Sequence, residues 1–363
     1  MTQRVFLHPG PLKTGTTYLQ SLLYANRASF LAQNITIVGD QASHYRVANE
    51  LMRKKSLRTR EVPQGAWKRT RSAALRAPGD VVMSCERYSL FKVEHARRML
   101  DDLADREVHV VLTLRNLVAV LPARWQEGIK NGSPATWADV QNRIVEDPSQ
   151  VRRMTRALST LETWAAALPV EQVHVVTVPP PDAPRTLLFE RFCEALGADP
   201  ARLETLEATR ANPSMDLVTT EVIRRANAQD RVRLSGPAQQ SELKTFLARE
   251  LTTQNRYRAE PTAAVLEVAQ GETQALVRRI RTGGFQVIGD LDDLTARPSS
   301  AGGNGAEPGT DEILDAAAVA VAALAQRSYA RQQRLLHHGA PRAVRRARRV
   351  WRRLRRRPAR PVQ

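Results

Sequence analysis

Short, almost continuously apolar runs recur through the first half of the chain. They are rich in β-branched residues, a pattern typical of strands that are buried on both faces of a parallel sheet. We predict five such strands, at Arg4–His8, Ile35–Val38, Val81–Cys85, Val108–Leu114 and Val173–Val178. Segments with helical spacing lie between these runs, so we expect an α/β core in which helices flank a parallel sheet.

Four segments of this first half have apolar residues at helical spacing. In the first of them, Tyr18, Leu19 and Leu22 fall on one helical face. The predicted helices run from Thr16 to about Arg27, from Glu94 to Leu103, from Val118 to Lys130 and from Val151 to Leu168.

The second half of the chain is predicted to be mostly helical. Beyond the three prolines at 179–181, the spacing of apolar residues becomes helical. The predicted helices are Thr186–Leu196, Asp216–Ala228, Gln239–Leu251 and Thr262–Ile280. A last extended segment, Phe285–Ile288, leads to the end of residues 1–295, which we interpret as one α/β domain.

A change in composition separates the last part of the chain from this domain. Residues 298–309 read PSSAGGNGAEPG, a sequence of low complexity that predicts a flexible linker at residues 296–310. Residues 311–363 are predicted to form a helix, from Asp311 to about Leu336, and then an arginine-rich tail.

Positive charge is concentrated in that tail. The chain of 363 residues has a formal net charge of +18, and residues 340–363 hold eleven arginines and no acid. The other 339 residues therefore have a net charge of +7. Residues 343–354 place apolar side chains on one helical face among arginines, which is typical of helices that lie on anionic membranes. The favoured interpretation is nevertheless a solvated tail without a partner; a membrane surface comes next, and a contact with nucleic acid is least favoured.

Signals for export or membrane insertion are not found in the sequence. The segment MTQRVFLHPG has no charged region followed by a long apolar stretch, and no run of about 18 apolar residues occurs elsewhere. Cys85 and Cys193 both lie in apolar runs, which indicates a reducing compartment. We therefore expect a cytoplasmic protein, peripheral at the inner membrane face if its tail binds lipid.

The strongest chemical signal follows the first predicted strand. Residues 5–20 read VFLHPGPLKTGTTYLQ, a glycine-rich turn from a strand into a helix. The N–H groups of such a turn and of the helix N-terminus bind phosphate or sulfate. Gly10 and Gly15 have the spacing of a nucleoside-triphosphate loop, but Thr16 stands where that loop has its lysine. The lysine here is Lys13, which argues against ordinary ATP or GTP hydrolysis.

The segment Pro11-Leu12-Lys13-Thr14-Gly15-Thr16-Thr17 resembles the 5′-phosphosulfate loop of sulfotransferases, which use 3′-phosphoadenosine 5′-phosphosulfate (PAPS) as donor. The resemblance implies a P-loop-like parallel sheet. It also implies that Lys13 stabilises the leaving phosphate and that no metal is required. The residues implied to bind the donor phosphate are Lys13, Thr14, Gly15, Thr16 and Thr17.

A second segment resembles the part of these enzymes that binds the 3′-phosphate of the donor. Arg115 follows the predicted strand Val108–Leu114, and its guanidinium group suits a phosphate dianion. Eight residues later, at the position of a serine that binds the donor in the family, this chain has Ala123. The segments Leu121–Lys130 and Gly289–Leu294 look like those of an actinobacterial subgroup of these enzymes.

Transfer to an acceptor requires a general base. Glu86 follows the strand Val81–Cys85, at the edge where ligands bind in open α/β sheets. Related enzymes have a catalytic histidine or acid near this edge. The alternatives for Glu86 are a cap of the next segment or an ion pair with Arg87. His44, which we predict in a loop after the second strand, is the other candidate base, because imidazole has a suitable pKa.

The sequence thus predicts a PAPS-dependent sulfotransferase whose acceptor is a sugar, a glycolipid or a small natural product. Two alternatives come from other classes: a nucleic-acid or membrane-surface binding protein that acts through its tail, and a P-loop kinase. The position of Lys13 argues against the kinase, and the confinement of strong basicity to residues 340–363 argues against the binding protein. No cysteine–histidine cluster has the spacing of a zinc site.

Overall fold

The structure, a computed structural model, describes residues 3–56, 61–205, 215–229, 251, 257–295 and 308–338. Within these residues, six strands form one sheet: β1 (Arg4–His8), β2 (Ile35–Ile37), β3 (Asp80–Ser84), β4 (Glu107–Leu114), β5 (Val173–Thr177) and β6 (Gln286–Ile288). Their order is β2-β3-β1-β4-β5-β6, and all neighbouring pairs are parallel. The prediction of a parallel α/β sheet is confirmed, and the extended segment before residue 289 is its sixth strand.

Helices connect the strands and continue after β5. They are α1 (Thr16–Ala25), α2 (Arg27–Leu31), α3 (Gln41–Leu51), α4 (Ala66–Arg76), α5 (Val93–Asp101), α6 (Leu117–Lys130), α7 (Trp137–Glu146), α8 (Ser149–Thr155), α9 (Ala157–Ala165), α10 (Leu187–Leu196), α11 (Leu217–Asn227), α12 (Ala263–Thr282) and α13 (Thr310–His338). A short 3-10 helix, Glu86–Leu90, follows β3 directly.

The alternation of side chains along the strands divides the core into two parts. Val5 and Leu7 of β1 pack in a large cluster with helices α3 to α9 and α11 to α13. Phe6 points to the other face and packs with α1, α2 and α10. Successive residues of a strand face opposite sides of the sheet, so continuously apolar strands are covered on both faces.

The predicted loop around His44 is instead helix α3. Asp40 caps this helix, because its carboxylate accepts a hydrogen bond from the Ser43 N–H at 2.8 Å. The Ser43 hydroxyl accepts in return from the Asp40 N–H, also at 2.8 Å. This reciprocal cap satisfies two N–H groups that the helix itself leaves without partners, and it fixes the start of α3.

The single helix predicted at Val151–Leu168 is broken into α8 and α9. The break is at Arg156, whose φ of 56° lies in the left-handed region that a continuous helix excludes. Arg156 Nε donates to the carbonyl of Ser89 at 3.1 Å, so the break coincides with a contact to the 3-10 helix after β3.

Helix α13 packs against α11, and its Ile313 and Ala320 are buried in the larger core cluster. The predicted helix Gln239–Leu251, apart from its last residue, lies outside the described residues, as do linker residues 296–307 and the tail beyond residue 338. The domain boundaries and the roles of the tail therefore stay predictions. In the described ranges, no helix is both long enough and apolar enough to cross a membrane.

Candidate active site

The carboxyl ends of β3, β1 and β4 lie side by side at one edge of the sheet. The chain leaves β1 toward β2 on one side and leaves β4 toward β5 on the other. Ligands of parallel α/β sheets bind at such a switch point, where the connections diverge. The loop after β1 starts at this switch point, and Arg115, the residue after β4, lies beside it.

Two glycines fix the path of the loop between β1 and α1. A Cβ atom on Gly10 would lie 2.6 Å from side-chain atoms of three residues, so no larger residue fits without displacing them. These residues are His8, Thr16 and Thr113. Gly15 immediately precedes α1 with a φ of 84°, a left-handed conformation that glycine adopts readily. The loop therefore requires glycine at both positions that define its spacing.

The N-terminus of α1 is a candidate anion site. Within the described part of the chain, no side chain caps this helix, and its first turn contains no acidic residue. Its first N–H groups and its partial positive charge suit a phosphate or sulfate. Thr16 is buried and Thr17 is exposed in this turn. The Thr14 hydroxyl donates to the Pro11 carbonyl at 2.7 Å, so that hydroxyl holds the loop together.

Lys13 contacts two other parts of the site. Its Nζ lies 3.1 Å from Oε2 of Glu127 on α6, and its carbonyl accepts a hydrogen bond from Arg115 Nη1 at 3.3 Å. The φ of Lys13 is 71°, which is strained for a residue with a side chain, and such strain clusters at functional sites. These contacts bring together the loop, the end of β4 and helix α6.

Arg115 is partly buried beside the loop, and this burial lowers the pKa of its guanidinium because the charge loses solvation. Among the described residues, it has no ion pair with a carboxylate, and its hydrogen bond goes to a carbonyl. A bound phosphate would compensate the lost solvation. Ala123 lies farther along α6, where its methyl group contributes no hydrogen bond to any ligand.

Glu86 is the first residue of the 3-10 helix after β3. Its carboxylate accepts a hydrogen bond from the hydroxyl of Tyr45 on α3. The Arg87 guanidinium lies 5.5 Å from the centroid of the Tyr45 ring, and the described residues include no ion pair between Glu86 and Arg87. The carboxylate therefore lies at the sheet edge, held by a neutral donor.

Arg124 of α6 lies near the charges of both Glu86 and Glu127. Its Nε donates to the Met154 carbonyl at 3.0 Å. Burial lowers the pKa of its guanidinium, whereas the nearby charges of Glu127 and Glu86 act in the opposite direction. Glu127 is also the partner of Lys13, so one continuous group of charges extends from the loop to Glu86.

His44 has a different environment from the one expected of a base. It is completely buried, with Nδ1 2.9 Å from the Tyr88 hydroxyl and Nε2 2.8 Å from the Val38 carbonyl. A carbonyl only accepts, so Nε2 donates and Nδ1 accepts from Tyr88. Burial also lowers the pKa of the ring. Both nitrogens are occupied, which leaves none for an acceptor hydroxyl and removes His44 from the proposal below.

Tyr45, which contacts Glu86, and Glu127, which contacts Lys13, were not predicted as site residues from the sequence. Tyr45 was not recognised because residues 39–45 were predicted to form a loop. Asp40 and Ser43 are nevertheless a recognisable helix cap, and they predict the helix that carries Tyr45. Glu127 lies four residues after Ala123 on α6, and residues at that spacing share a helical face. Nothing else in the sequence around Glu127 marks it as a partner of Lys13.

Within the described ranges, no group of three or more histidine, cysteine, aspartate or glutamate side chains is arranged to hold a metal ion. No family model and no curated protein matches the chain. Among solved structures, it is similar to the crystal structure of a sulfotransferase from Alicyclobacillus acidocaldarius. The identity is 16% and the TM-score 0.41, and the match covers 62% of this chain and 94% of that one. At this degree of likeness, the function has to be argued from the residues of the chain itself.

Proposed function

We propose that this protein is an enzyme that transfers a sulfuryl group from PAPS to a hydroxyl or amine of a sugar, a glycolipid or a small natural product. The observation that carries the proposal is the hydrogen bond from Arg115 to the Lys13 carbonyl, across the switch point between β1 and β4. It brings the Arg115 guanidinium against the backbone of the residue that carries the Lys13 ammonium, close to the N-terminus of α1. Two cationic groups on one short loop suit a ligand with two separate phosphate groups.

The donor would bind along the loop. The N–H groups of residues 13–17 and the Lys13 ammonium suit the 5′-phosphosulfate, and the hydroxyls of Thr16 and Thr17 add further donors. Arg115 suits the 3′-phosphate, where Ala123 supplies no hydroxyl. Lys13 exchanges its contact with Glu127 for one with the donor phosphate when the donor binds.

In the transfer step, the acceptor oxygen or nitrogen attacks sulfur while the bond from sulfur to the bridging oxygen of the 5′-phosphate breaks. The electrons of that bond leave with adenosine 3′,5′-bisphosphate. Negative charge grows on the bridging oxygen, and the Lys13 ammonium stabilises it. The proton of the acceptor passes to Glu86 as the new bond to sulfur forms.

Glu86 is the proposed base because it is the first residue of the 3-10 helix that follows β3, at the ligand-binding edge of the sheet. The charge of Arg124 acts on both Glu86 and Glu127, the partner of Lys13. The hydroxyl of Tyr45 holds the carboxylate in position, and within the described ranges this is the only hydrogen bond that the Glu86 carboxylate accepts. The other carboxylate oxygen is left to accept a proton from the substrate.

Incubation with PAPS and a mixture of sugars, glycolipids and phenolic natural products, followed by mass spectrometry, tests the proposal. We expect at least one acceptor to gain the mass of one sulfuryl group, with an equal amount of adenosine 3′,5′-bisphosphate formed. Lys13→Ala should abolish both products. Phosphorylated products from a parallel incubation, with ATP and Mg²⁺ in place of PAPS, would support a kinase instead.

A further inference from the structure

Two arginines near Glu86 are held in place by backbone carbonyls, and neither forms an ion pair within the described part of the chain. Arg156 Nε donates to the Ser89 carbonyl at 3.1 Å, and Arg124 Nε donates to the Met154 carbonyl at 3.0 Å. Ser89 belongs to the same 3-10 helix as Glu86, and its hydroxyl donates to the Glu86 carbonyl at 2.6 Å. Each bond uses Nε. Among the described residues, neither arginine donates a hydrogen bond through its Nη atoms, so these donors have no protein partner there.

Four structural arginines of this chain have other kinds of partner. Several are neutralised by carboxylates: Arg4 by Asp80, Arg191 by Asp293 and Arg224 by Glu221. Arg106, which is buried, donates instead to three carbonyls of one turn through both of its Nη atoms. Arg124 and Arg156 have neither arrangement, although both are partly buried.

The charges of these two arginines also act on each other. Burial lowers the pKa of both guanidinium groups, and the charge of Arg156 further lowers the pKa of Arg124. Two like charges that share a poorly solvated site are stabilised by an anion between or beside them. Glu86 is one such anion, but Glu127 is also engaged with Lys13.

A third arginine adds to this excess of positive charge. Arg87 follows Glu86 directly and lies over the ring of Tyr45. Its Nε is buried, and no hydrogen-bond partner for that atom is found in the described part of the chain. Buried donors without partners are rare in folded proteins and are common where a ligand or water completes the site.

The backbone at Arg156 is strained in a way that serves this arrangement. The left-handed φ of 56° is unfavourable for a residue with a Cβ atom, and arginine is not one of the residues that tolerate it, as glycine and asparagine do. The strained residue ends α8, begins α9 and contacts the helix of Glu86. An outlier of this kind supports a functional role for the side chain that it orients.

We propose that the acceptor of this enzyme is an acid, and that Arg124 and Arg156 bind its carboxylate, phosphate or sulfate group beside Glu86. The inference rests on the proposed function, since it identifies the substrate class of the same site. A guanidinium fork binds such groups through two parallel hydrogen bonds, so a charged acceptor is oriented with its hydroxyl toward Glu86. Acidic sugars and sugar phosphates fit this chemistry, whereas neutral sugars lack the group that the arginines recognise.

Ligand-observed NMR titrations of the full-length protein, saturated with adenosine 3′,5′-bisphosphate, test the inference. The probes are glucuronate, glucose 6-phosphate and glucose, which compare a carboxylate, a phosphate and no charge on similar rings. The variants are Arg124→Gln and Arg156→Asn, the second because asparagine tolerates the left-handed backbone. Arg152→Gln is the control, since Arg152 is an exposed arginine of α8 that pairs with Glu272.

We expect at least one of the two acids to bind the wild-type protein and glucose not to bind. Both site variants should weaken that binding by about tenfold or more, and Arg152→Gln should leave it unchanged. The inference is overturned if the acids bind no better than glucose, or if both site variants bind them as the wild type does.

Nucleotide binding in the same samples separates the two claims: if the nucleotide binds and the acids do not, only the inference on the acceptor falls. If the nucleotide does not bind, the proposed function itself falls.

Discussion

The ammonium group of Lys13 lies 3.1 Å from the carboxylate of Glu127, so the loop after β1 and helix α6 are joined by an ion pair. The side chains are only 31% and 15% exposed, so solvent screens the pair less than it screens a surface ion pair. A donor phosphate that binds at the loop competes with Glu127 for this lysine. The pair thus sets both the position of Lys13 and the strength with which the loop attracts an anion.

Removing the charge of Glu127 should therefore strengthen nucleotide binding. We expect Glu127→Gln to lower the Kd for adenosine 3′,5′-bisphosphate by roughly 3- to 10-fold, because Lys13 no longer has to exchange a charged partner. Isothermal calorimetry measures the change. Glu94→Gln is the matched control, since Glu94 pairs with Lys92 on an exposed part of the protein. An unchanged or higher Kd for Glu127→Gln would contradict the competition between Glu127 and the donor.

Glu86→Gln should separate chemistry from donor binding. If Glu86 takes the acceptor proton, its loss lowers kcat by about 10² to 10⁴ while the Kd for the nucleotide stays the same. Tyr45→Phe is the comparison, because it removes the hydroxyl that holds the carboxylate. Burial and the charge of Glu86 raise the pKa of Tyr45, so this tyrosine stays a donor and its loss should have a smaller effect on kcat. A Glu86→Gln enzyme with more than half of the wild-type kcat would exclude this base.

Gly10→Ala should destroy the loop, since the added Cβ atom would approach side-chain atoms at 2.6 Å on three sides. We expect lower stability and no detectable binding of adenosine 3′,5′-bisphosphate. Gly271→Ala is a matched control within α12, where an added Cβ atom meets nothing within 4 Å. That variant should bind normally and gain up to about 1 kcal/mol of stability from helix propensity. Normal nucleotide binding by Gly10→Ala would disprove the tight packing of the loop.

The burial of His8 allows a prediction of how the stability of the folded protein depends on pH. The ring is buried, with Nδ1 2.8 Å from the Ser84 hydroxyl and Nε2 3.2 Å from the Thr113 hydroxyl, and burial lowers its pKa from 6.5 to about 3. Below pH 6.5 the unfolded chain binds a proton that the folded protein does not. The contribution of neutral His8 to the free energy of unfolding is therefore full above pH 6.5. It is lost as the pH falls from 6.5 toward 3, by up to about 1.4 kcal/mol per pH unit.

Urea unfolding of the wild type and of His8→Gln, at pH values from 7 to 4, measures this dependence. The variant is expected to be less stable at pH 7 and to lose less of its stability on acidification. His44, whose pKa is also lowered by burial, retains its own dependence of the same sign in both proteins. Parallel curves for the two proteins would mean that His8 is not held neutral by the fold.

Much of the sheet was predictable from the sequence, because strands buried on both faces need continuous apolar runs and those runs are visible. The run ending at Leu114 also located Arg115 at the sheet edge. Contacts between distant residues were not predictable in the same way. The partner of Lys13 is 114 residues away on a helix with many polar positions, and nothing local in the sequence selects Glu127 among them.

The break at Arg156 escaped the sequence pattern for a related reason. Helical periodicity continues across residues 151–168, and arginine has a good helix propensity, so no local signal marks a left-handed residue. The tertiary contact with Ser89 overrides that local preference. The loop prediction around His44 was wrong because a histidine in a polar segment resembles a surface residue until the helix that buries it is known.

Isothermal calorimetry with adenosine 3′,5′-bisphosphate and with ATP, on the wild type and on Lys13→Ala and Arg115→Ala, tests the central claim most directly. We predict that the bisphosphate binds at least about tenfold more tightly than ATP, with or without Mg²⁺, and that each substitution weakens its binding by about tenfold or more. No binding of the bisphosphate, or equal binding by the wild type and both variants, would contradict the account.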